Sequence, residues 1–396
     1  MSNATEFWGY LRPDGQVGTR NHLLVLAAGN CAYEEARRMA AAVPGAVAVS
    51  QWHHCTRDEM VERGMIGIGR NPNVGAVLVV GLGCESLTAE ILFDGIQPCG
   101  KPIAQVVIQE VGGSLRAIEA GTRILREMAA ELSRQRRQPF PLSELTVAVE
   151  CGGSDATSGL AANPAVGNAA DRLVDAGATV YFGETIEMTG TEHILARRAV
   201  DAKTAQDIYD IIQEQENFAK ASGIPSRHIQ QGNMDGGLTT IEEKSLGAIL
   251  KGGTRPIQGV LHYNRTQLEL PARPGLYIQE GTDSDVPSVT SMAAAGATVT
   301  LFTSGRGSTT GHAILPVIKV TGNPATYEWL NDNMDVNAGK IILGQAGITD
   351  LGQEIYDLTL RVASGEKTKA EILGFEDFLI YRVDPVAQNL LRRCEW

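Results

Sequence analysis

Leu23–Cys31 (LLVLAAGNC) decides the fold: an apolar run ends in a short polar turn, and a helix is predicted after it over Glu34–Ala42. The same order returns at Ala46–Ser50 (AVAVS) and Ala76–Val80 (AVLVV), which both lead into polar or glycine-rich loops. Continuous apolar strands that alternate with helices are typical of a parallel sheet buried on both faces. The pattern therefore predicts an α/β protein.

A second unit of the same kind follows Arg134–Leu142 (RQRRQPFPL), a basic stretch with two prolines that we interpret as a linker. We expect two doubly wound, mostly parallel-sheet domains of the Rossmann or flavodoxin type, over residues 1–140 and 145–396. The strands predicted in the second domain are Leu145–Val149, Thr179–Phe182, Ala248–Leu250, Gly275–Ile278 and Thr298–Phe302.

Composition excludes several classes of protein. With 396 residues, 43% of them hydrophobic and 20% charged, the chain is long and apolar enough to fold into two or three domains. Its net charge of −12 argues against nucleic acid or an anionic membrane as the main partner, because both select basic surfaces. We find no apolar run long enough to span a membrane and no signal-peptide pattern, so we expect a cytoplasmic protein with reduced cysteines.

Four of the six cysteines share one position, just past the carboxyl end of a predicted strand: Cys31, Cys55, Cys84 and Cys151. Ligands of doubly wound sheets bind at that edge, and thiolates bind iron or zinc. We expect a metal centre with an open coordination position, holding iron as Fe²⁺ or as an iron–sulfur cluster, with another divalent metal as the alternative. The competing interpretation is that each cysteine is a small buried apolar residue.

Three residues, two of them beside these cysteines, are candidates for acid–base chemistry. His54 adjoins Cys55 and can serve as a ligand or as a proton carrier. Glu85 directly follows Cys84 and can support that ligand. Lys244 is a candidate base or carboxylate anchor, although helix capping explains much of the sequence around it.

The candidate substrate-binding residues lie in polar or glycine-rich segments beside predicted strands: Arg20, Asn21, Ser154, Asp155, Arg306, Ser308 and Thr309. An arginine in such a loop can bind a carboxylate through two parallel hydrogen bonds. Arg20 precedes its strand, so the alternative is that it faces away from the site. The glycine-rich loop around Arg306 lacks the Gly-Lys-Ser/Thr of a Walker A motif, and no dinucleotide fingerprint follows the first strand, so nucleotide binding is unsupported.

Several motifs, in order along the chain, resemble those of the altronate/galactarate dehydratase family, which includes the large subunit of (2R)-sulfolactate sulfo-lyase. They are Gly9–Asn21 (GYLRPDGQVGTRN), Gly81–Glu85 (GLGCE), Cys151–Asp155 (CGGSD), Gly236–Gly247 (GGLTTIEEKSLG), Thr303–Ser308 (TSGRGS) and Asn333–Gly339 (NMDVNAG). Two loops depart from the family pattern, Ser50–Thr56 and Ile278–Thr282, so the resemblance does not extend to the identity of the substrate.

The resemblance implies an iron-dependent lyase that eliminates a β substituent from a small hydroxy acid, as in dehydration of a sugar acid to a 2-keto-3-deoxy acid. It also implies a separate small β-rich subunit, because the family's dehydratases begin with a β-rich domain that does not precede these motifs here. We further expect a homo-oligomer. The alternatives are a sulfo-lyase large subunit that releases sulfite and pyruvate, and a non-catalytic binding subunit.

Overall fold

The structure is a computed structural model that describes residues 5–52, 57–221, 229–262, 270–281 and 284–380. The strands of these residues are β1 (Glu6–Leu11), β2 (Val17–Gly18), β3 (His22–Ala27), β4 (Ala46–Ser50), β5 (Val74–Gly81), β6 (Ile103–Val107), β7 (Gln138–Pro141), β8 (Thr146–Cys151), β9 (Thr179–Phe182), β10 (Ile257–Leu261), β11 (Gly275–Gln279), β12 (Val299–Thr303), β13 (Val317–Thr321) and β14 (Val336–Asn337).

The α-helices are α1 (Tyr33–Ala41), α2 (Glu59–Arg70), α3 (Ala89–Ile96), α4 (Ile108–Val111), α5 (Ser114–Leu132), α6 (Asn163–Asp175), α7 (Glu192–Ala196), α8 (Ala202–Ala221), α9 (Gln231–Asp235), α10 (Ile241–Ala248), α11 (Asp285–Ala294), α12 (Pro324–Trp329), α13 (Ile348–Ala363) and α14 (Lys369–Leu373). None of the helices in the described ranges is long and apolar enough to cross a lipid bilayer.

The first sheet has four parallel strands in the order β4-β3-β5-β6. Successive side chains of a strand point to opposite faces, so Val25 packs toward α1 and α5 while Leu24 packs toward α2 and α3. All eight residues of β5 are buried, as its continuous apolar sequence predicts.

The second sheet has seven parallel strands in the order β10-β11-β9-β8-β12-β13-β14. Helices α6, α8 and α13 pack on one face of this sheet. Helix α11 packs on the other face and shares an apolar cluster with α2 of the first unit. The predicted fold class, two α/β units with mostly parallel sheets, is confirmed.

Two local predictions are wrong. Ala248–Leu250, predicted as a strand, is the end of α10 and the start of a 3-10 turn, because Thr240 caps a helix that continues through this apolar stretch. The segment Arg134–Leu142, interpreted as a linker, contains β7, which pairs antiparallel with β1. Its prolines are tolerated because Pro139 and Pro141 lie in a short strand of a small three-stranded sheet.

Each parallel sheet contains a point at which the strand order changes direction. In the first sheet that point lies between β3 and β5, and in the second it lies between β8 and β12. Ligands of open α/β sheets bind outside the carboxyl ends of the strands at such a point. The fold therefore offers two candidate edges, one following β3 and β5 and the other following β8 and β12.

Candidate functional site

A buried cluster of charged side chains lies at the carboxyl end of β8. That strand supplies Glu150 and Cys151, and the loop after the neighbouring β9 supplies Glu184 and Glu187. Lys244 in α10 and Lys251 in the following 3-10 turn complete the cluster from the other side. All six residues are buried, which is rare for so many ionisable groups unless they are paired.

Glu187 is the centre of the hydrogen-bond network. The Cys151 thiol donates to Oε2 of Glu187 at 2.7 Å, and Lys244 Nζ pairs with Oε1 of the same carboxylate. Lys251 Nζ pairs with Glu184 and lies 3.1 Å from Cys151 Sγ and 3.5 Å from Glu187 Oε2. The network thus interleaves two carboxylates with two ammonium groups around one thiol.

The charges are set by burial and by these pairs. Burial opposes ionisation of Glu187, but the ammonium groups of Lys244 and Lys251 outweigh it and lower the pKa of Glu187 to about 2. Burial likewise opposes the charge on Lys244, yet the adjacent Glu187 raises the Lys244 pKa above its ordinary value. Lys244 is therefore an ammonium group at neutral pH, which suits a carboxylate anchor and not a base.

Burial opposes ionisation of the other three acidic groups of the cluster, Glu150, Cys151 and Glu184. Burial, followed by the negative charge of Glu187, raises the pKa of Glu184 to about 7. Burial also raises the pKa of Glu150 and of the Cys151 thiol well above their usual values, so the thiol stays protonated at neutral pH. Glu150 accepts a hydrogen bond from the Ser288 hydroxyl at 2.8 Å.

Asp285, the first residue of α11, lies beside the cluster and is partly exposed. Its carboxylate lies against the loop after Cys151, since a Cβ added at Gly152 would be 3.0 Å from Asp285 Oδ2. Burial and then the charge of Glu187 raise the pKa of Asp285 to about 6. Asp285 therefore combines solvent access with a pKa suited to proton transfer near neutral pH.

Two glycine-rich loops meet beside the cluster. The backbone N–H of Gly152 donates to Thr303 O at 2.9 Å, and those of Gly305 and Arg306 both donate to Gly153 O at 3.0 Å. These contacts bring the loop after β8 against the loop after β12, at the point where the strand order changes. The Arg306 guanidinium is exposed there and donates through Nη1 to Gly232 O at 3.1 Å.

Ser154 and Asp155 shape the first of these loops. Ser154 is buried, and its backbone N–H donates to Asn233 Oδ1 at 2.9 Å. Asp155 Oδ1 accepts hydrogen bonds from Thr157 and Ser158, while its Oδ2 accepts one from Asn323 at 2.9 Å. The Asp155 carboxylate thus holds the loop through internal bonds.

In the loop after β12, the Ser308 hydroxyl donates to Thr310 Oγ1 at 2.8 Å, and Thr309 is exposed. Ser308 and Thr309 therefore lie in the same loop as Arg306, past the carboxyl end of β12.

Arg20 and Asn21 lie elsewhere, at the amino end of β3. The Arg20 guanidinium binds the Glu371 carboxylate through two hydrogen bonds of 2.6 and 2.8 Å. Its remaining N–H groups donate to the carbonyls of Thr19, Val362 and Glu366. Asn21 accepts from Arg12 at 2.7 Å. Arg20 does form the predicted bidentate pair, but its carboxylate partner belongs to the protein, so no N–H remains for a substrate.

The thiols of Cys31 and Cys84 follow β3 and β5 at the switch point of the first sheet, and both are exposed. Glu85 turns back onto this loop, and its carboxylate accepts hydrogen bonds from the backbone N–H groups of Leu82, Gly83 and Cys84 at 2.7–3.0 Å. Glu85 therefore fixes the backbone that carries Cys84. His54 and Cys55 lie outside the described residues.

Within the described ranges, one group of three potential metal ligands has its donor atoms within 4.8 Å of one another: Cys151, Glu184 and Glu187. Cys151 thus belongs to the charged cluster of the second sheet, and no third donor from the described residues joins Cys31 and Cys84.

Glu184, Glu187, Lys251 and Asp285 were missed by the sequence reasoning. Glu184 is strained, with a φ of 67° in the left-handed region that side chains other than glycine seldom occupy. Such strain persists only where the surroundings fix it, and it concentrates at functional sites. The available signal was the pair Glu184 and Glu187, two carboxylates that follow a predicted buried strand.

Two family models match consecutive parts of the chain. The model described as D-galactarate dehydratase/altronate hydrolase, second domain, matches residues 9–133. The model described as D-galactarate/altronate dehydratase, C-terminal, matches residues 142–386.

Curated relatives match most of the chain. (2R)-Sulfolactate sulfo-lyase subunit beta of Chromohalobacter salexigens is 36% identical over 385 residues, which cover 95% of this chain and 97% of that protein. Altronate dehydratase of Bacillus subtilis is 30% identical over 391 residues, or 95% of this chain and 77% of that protein. Galactarate dehydratase (L-threo-forming) of Escherichia coli is 37% identical over 309 residues, or 76% of this chain and 58% of that protein.

Proposed function

The chain belongs to the D-galactarate/altronate dehydratase family and is a lyase, and we propose that it removes water from a small sugar acid to give a 2-keto-3-deoxy acid. The family resemblance predicted from the motifs is thereby confirmed. The observation that carries the proposal is the charged cluster around Glu187, which adjoins two glycine-rich loops at the switch point of the larger sheet.

The proposed reaction breaks two bonds of the substrate. The hydrogen on the carbon next to the carboxylate leaves as a proton, and its electron pair forms a carbon–carbon double bond while hydroxide leaves the β carbon. The resulting enol takes up a proton to become the 2-oxo acid. Because the α-proton is very weakly acidic, the site must supply a base and must stabilise the negative charge that develops on the carboxylate.

Asp285 is our candidate for the base. A carboxylate with a pKa of about 6 is ionised at neutral pH and can still accept a proton from carbon. Lys244 is our candidate for stabilising the developing charge. It lies on the outer side of the cluster with 7% of its side chain exposed, whereas 1% of the Lys251 side chain is exposed.

Arg306 is our candidate for binding the anionic end of the substrate. We expect Arg306→Lys to lower kcat/KM about 10- to 150-fold, since it loses the two parallel hydrogen bonds worth roughly 1.5–3 kcal/mol when one partner is charged. Initial rates of 2-oxo acid formation would measure the loss. Arg361→Lys, which alters an exposed arginine paired with Glu366, is the matched control and should retain wild-type rates. An unchanged kcat/KM in Arg306→Lys would show that the anionic end of the substrate binds elsewhere.

The second candidate function is elimination of sulfite from (2R)-sulfolactate. It is favoured by the match to sulfo-lyase subunit beta, which covers 97% of that relative. The α-proton is removed in the same way, but sulfite departs without being protonated, whereas a leaving hydroxide needs a proton donor or a Lewis acid. Assays of altronate, galactarate and (2R)-sulfolactate side by side, with detection of 2-oxo acid and sulfite, separate the two functions.

We propose that iron binds at the edge of the first sheet. Exposed thiols just past the ends of two adjacent strands suit a thiophilic metal, and Glu85 holds the Cys84 loop in place. Cys31 and Cys84 would hold the ion, with Cys55 as the predicted third ligand. Iron there would supply a Lewis acid for a hydroxyl or carboxylate oxygen.

We expect Cys31→Ser and Cys84→Ser each to lose most of the iron of the anaerobically purified protein, because both remove a thiolate ligand. Elemental analysis would measure the metal content. Cys99→Ser is the matched control and should keep its iron, because Cys99 is buried and does not lie at the carboxyl edge of either parallel sheet. Full iron content in both test variants would contradict a thiolate site at this edge.

We also propose a small β-rich partner subunit, supported by the relative whose name identifies it as subunit beta. We expect the isolated chain to turn over altronate, galactarate and (2R)-sulfolactate at less than about one-hundredth of the rate of the reconstituted complex, since a missing part of a catalytic site typically costs 10²-fold or more. Rates measured before and after addition of the small subunit would check this. Full activity of the isolated chain would contradict it.

A further inference from the structure

Lys251 occupies the centre of the one three-donor group found in the described residues. Its Nζ lies 3.1 Å from Cys151 Sγ, 3.5 Å from Glu187 Oε2, and is paired with Glu184. A thiol and two carboxylates are a donor set that zinc, iron and cobalt accept. The ammonium group thus stands among the donors that would otherwise suit a divalent cation.

Charge balance opposes a metal ion in the intact cluster. The carboxyl groups of Glu184 and Glu187 already face two ammonium groups, because Lys244 pairs with Glu187 and Lys251 pairs with Glu184. A divalent ion would therefore enter a buried site that already holds two ammonium groups, where like charges repel strongly.

We propose that Lys251 is the built-in cation of this cluster, so that Cys151, Glu184 and Glu187 form a transition-metal site only when its ammonium group is removed. Lys251 is then a positioning residue that fixes Glu184 and the Cys151 thiol, and through them Glu187. The proposal concerns cation binding and holds for either of the two eliminations considered above. It does not involve the iron proposed at Cys31 and Cys84, because those two thiols are not among the donors of the cluster.

The test uses the full chain under reducing, anaerobic conditions, titrated with Co²⁺, whose thiolate complexes absorb strongly. We expect wild type and Cys151→Ser to bind the same amount of cobalt with the same spectrum, because Cys151 is not available as a ligand. Lys251→Met should bind one additional cobalt ion per chain, with an added thiolate-to-cobalt band. Lys251→Met combined with Cys151→Ser should lose that band.

Lys203→Met, which alters an exposed lysine paired with Asp207, is the matched control and should bind cobalt like wild type. A cobalt band that wild type loses on Cys151→Ser would overturn the proposal, as would a folded Lys251→Met that binds no additional ion. If Lys251→Met folds only in the presence of cobalt, that dependence supports the site. If Lys251→Met does not fold at all, wild type and Cys151→Ser decide the matter. Equal cobalt content and equal spectra support the proposal, and a difference in the thiolate-to-cobalt band overturns it.

Discussion

Asp285→Asn should lower kcat about 10²- to 10⁴-fold, because it replaces the carboxylate that we propose as base with an amide that cannot accept a proton. The expected cause is chemical, since the amide has nearly the shape of the carboxylate. Rates of 2-oxo acid formation by the reconstituted complex would measure the effect. Asp332→Asn, which makes the same change at an exposed aspartate, is the matched control and should stay at the wild-type rate.

The pH dependence gives Asp285→Asn a second readout. The wild-type kcat/KM should rise with pH through about 6, as Asp285 loses its proton, and this limb should be absent from the residual activity of the variant. The contribution of Asp285 to the stability of the folded protein should fall, not rise, with increasing pH. Because the folded state raises the Asp285 pKa above its ordinary value, its stabilising contribution is present at low pH and is lost as pH rises through about 6.

It follows that Asp285→Asn should be at least as resistant to urea as wild type at pH 7. An unfolded variant would contradict this stability prediction, and a folded variant with wild-type turnover and an unchanged pH profile would contradict the role of Asp285 as base.

Lys244→Met should lower kcat/KM about 10²- to 10³-fold, the usual effect of removing one preorganised group that stabilises developing charge. The variant also leaves Glu187 with one ammonium partner fewer in a buried site, which typically costs about 3–5 kcal/mol of stability. Activity and stability must therefore be separated.

The double variant Lys244→Met/Glu187→Gln separates them. It removes one positive and one negative charge, so the cluster stays balanced through Lys251 and Glu184. We expect urea denaturation to show most of the lost stability restored, while kcat/KM stays low. Lys340→Met, at a partly exposed lysine paired with Glu354, is the control. Recovery of activity together with stability would show that Lys244 has only a structural role.

The strands that place the site were predictable because their signal is local. The apolar runs at β3, β4 and β9 are continuous, and their ends are marked by glycine or polar residues within two positions of the observed bounds. Residues 248–250 were mispredicted because a short apolar run fits a buried helix as well as a strand. There the decisive signal was the Thr240 cap, eight residues before the run.

The site was only partly predictable because its contacts join distant parts of the chain. The rule that ligands gather past strand ends led to Cys151, yet Lys251 lies 100 residues away from it and directly after the segment mispredicted as a strand. Arg20 shows the reverse case. Its sequence context suits a carboxylate, and nothing local indicates that Glu371, 351 residues further on, already supplies one.

The central claim, that Asp285 beside the Glu187 cluster removes the α-proton, is tested most directly by a deuterium isotope effect. The measurement compares turnover of the preferred substrate with and without deuterium on its α carbon, by wild type and by Asp285→Asn. We predict that Asp285→Asn turns over slowly and processes the deuterated substrate more slowly still, because removal of the α-hydrogen then limits the reaction. Wild-type turnover of both substrates by a folded Asp285→Asn would contradict the claim.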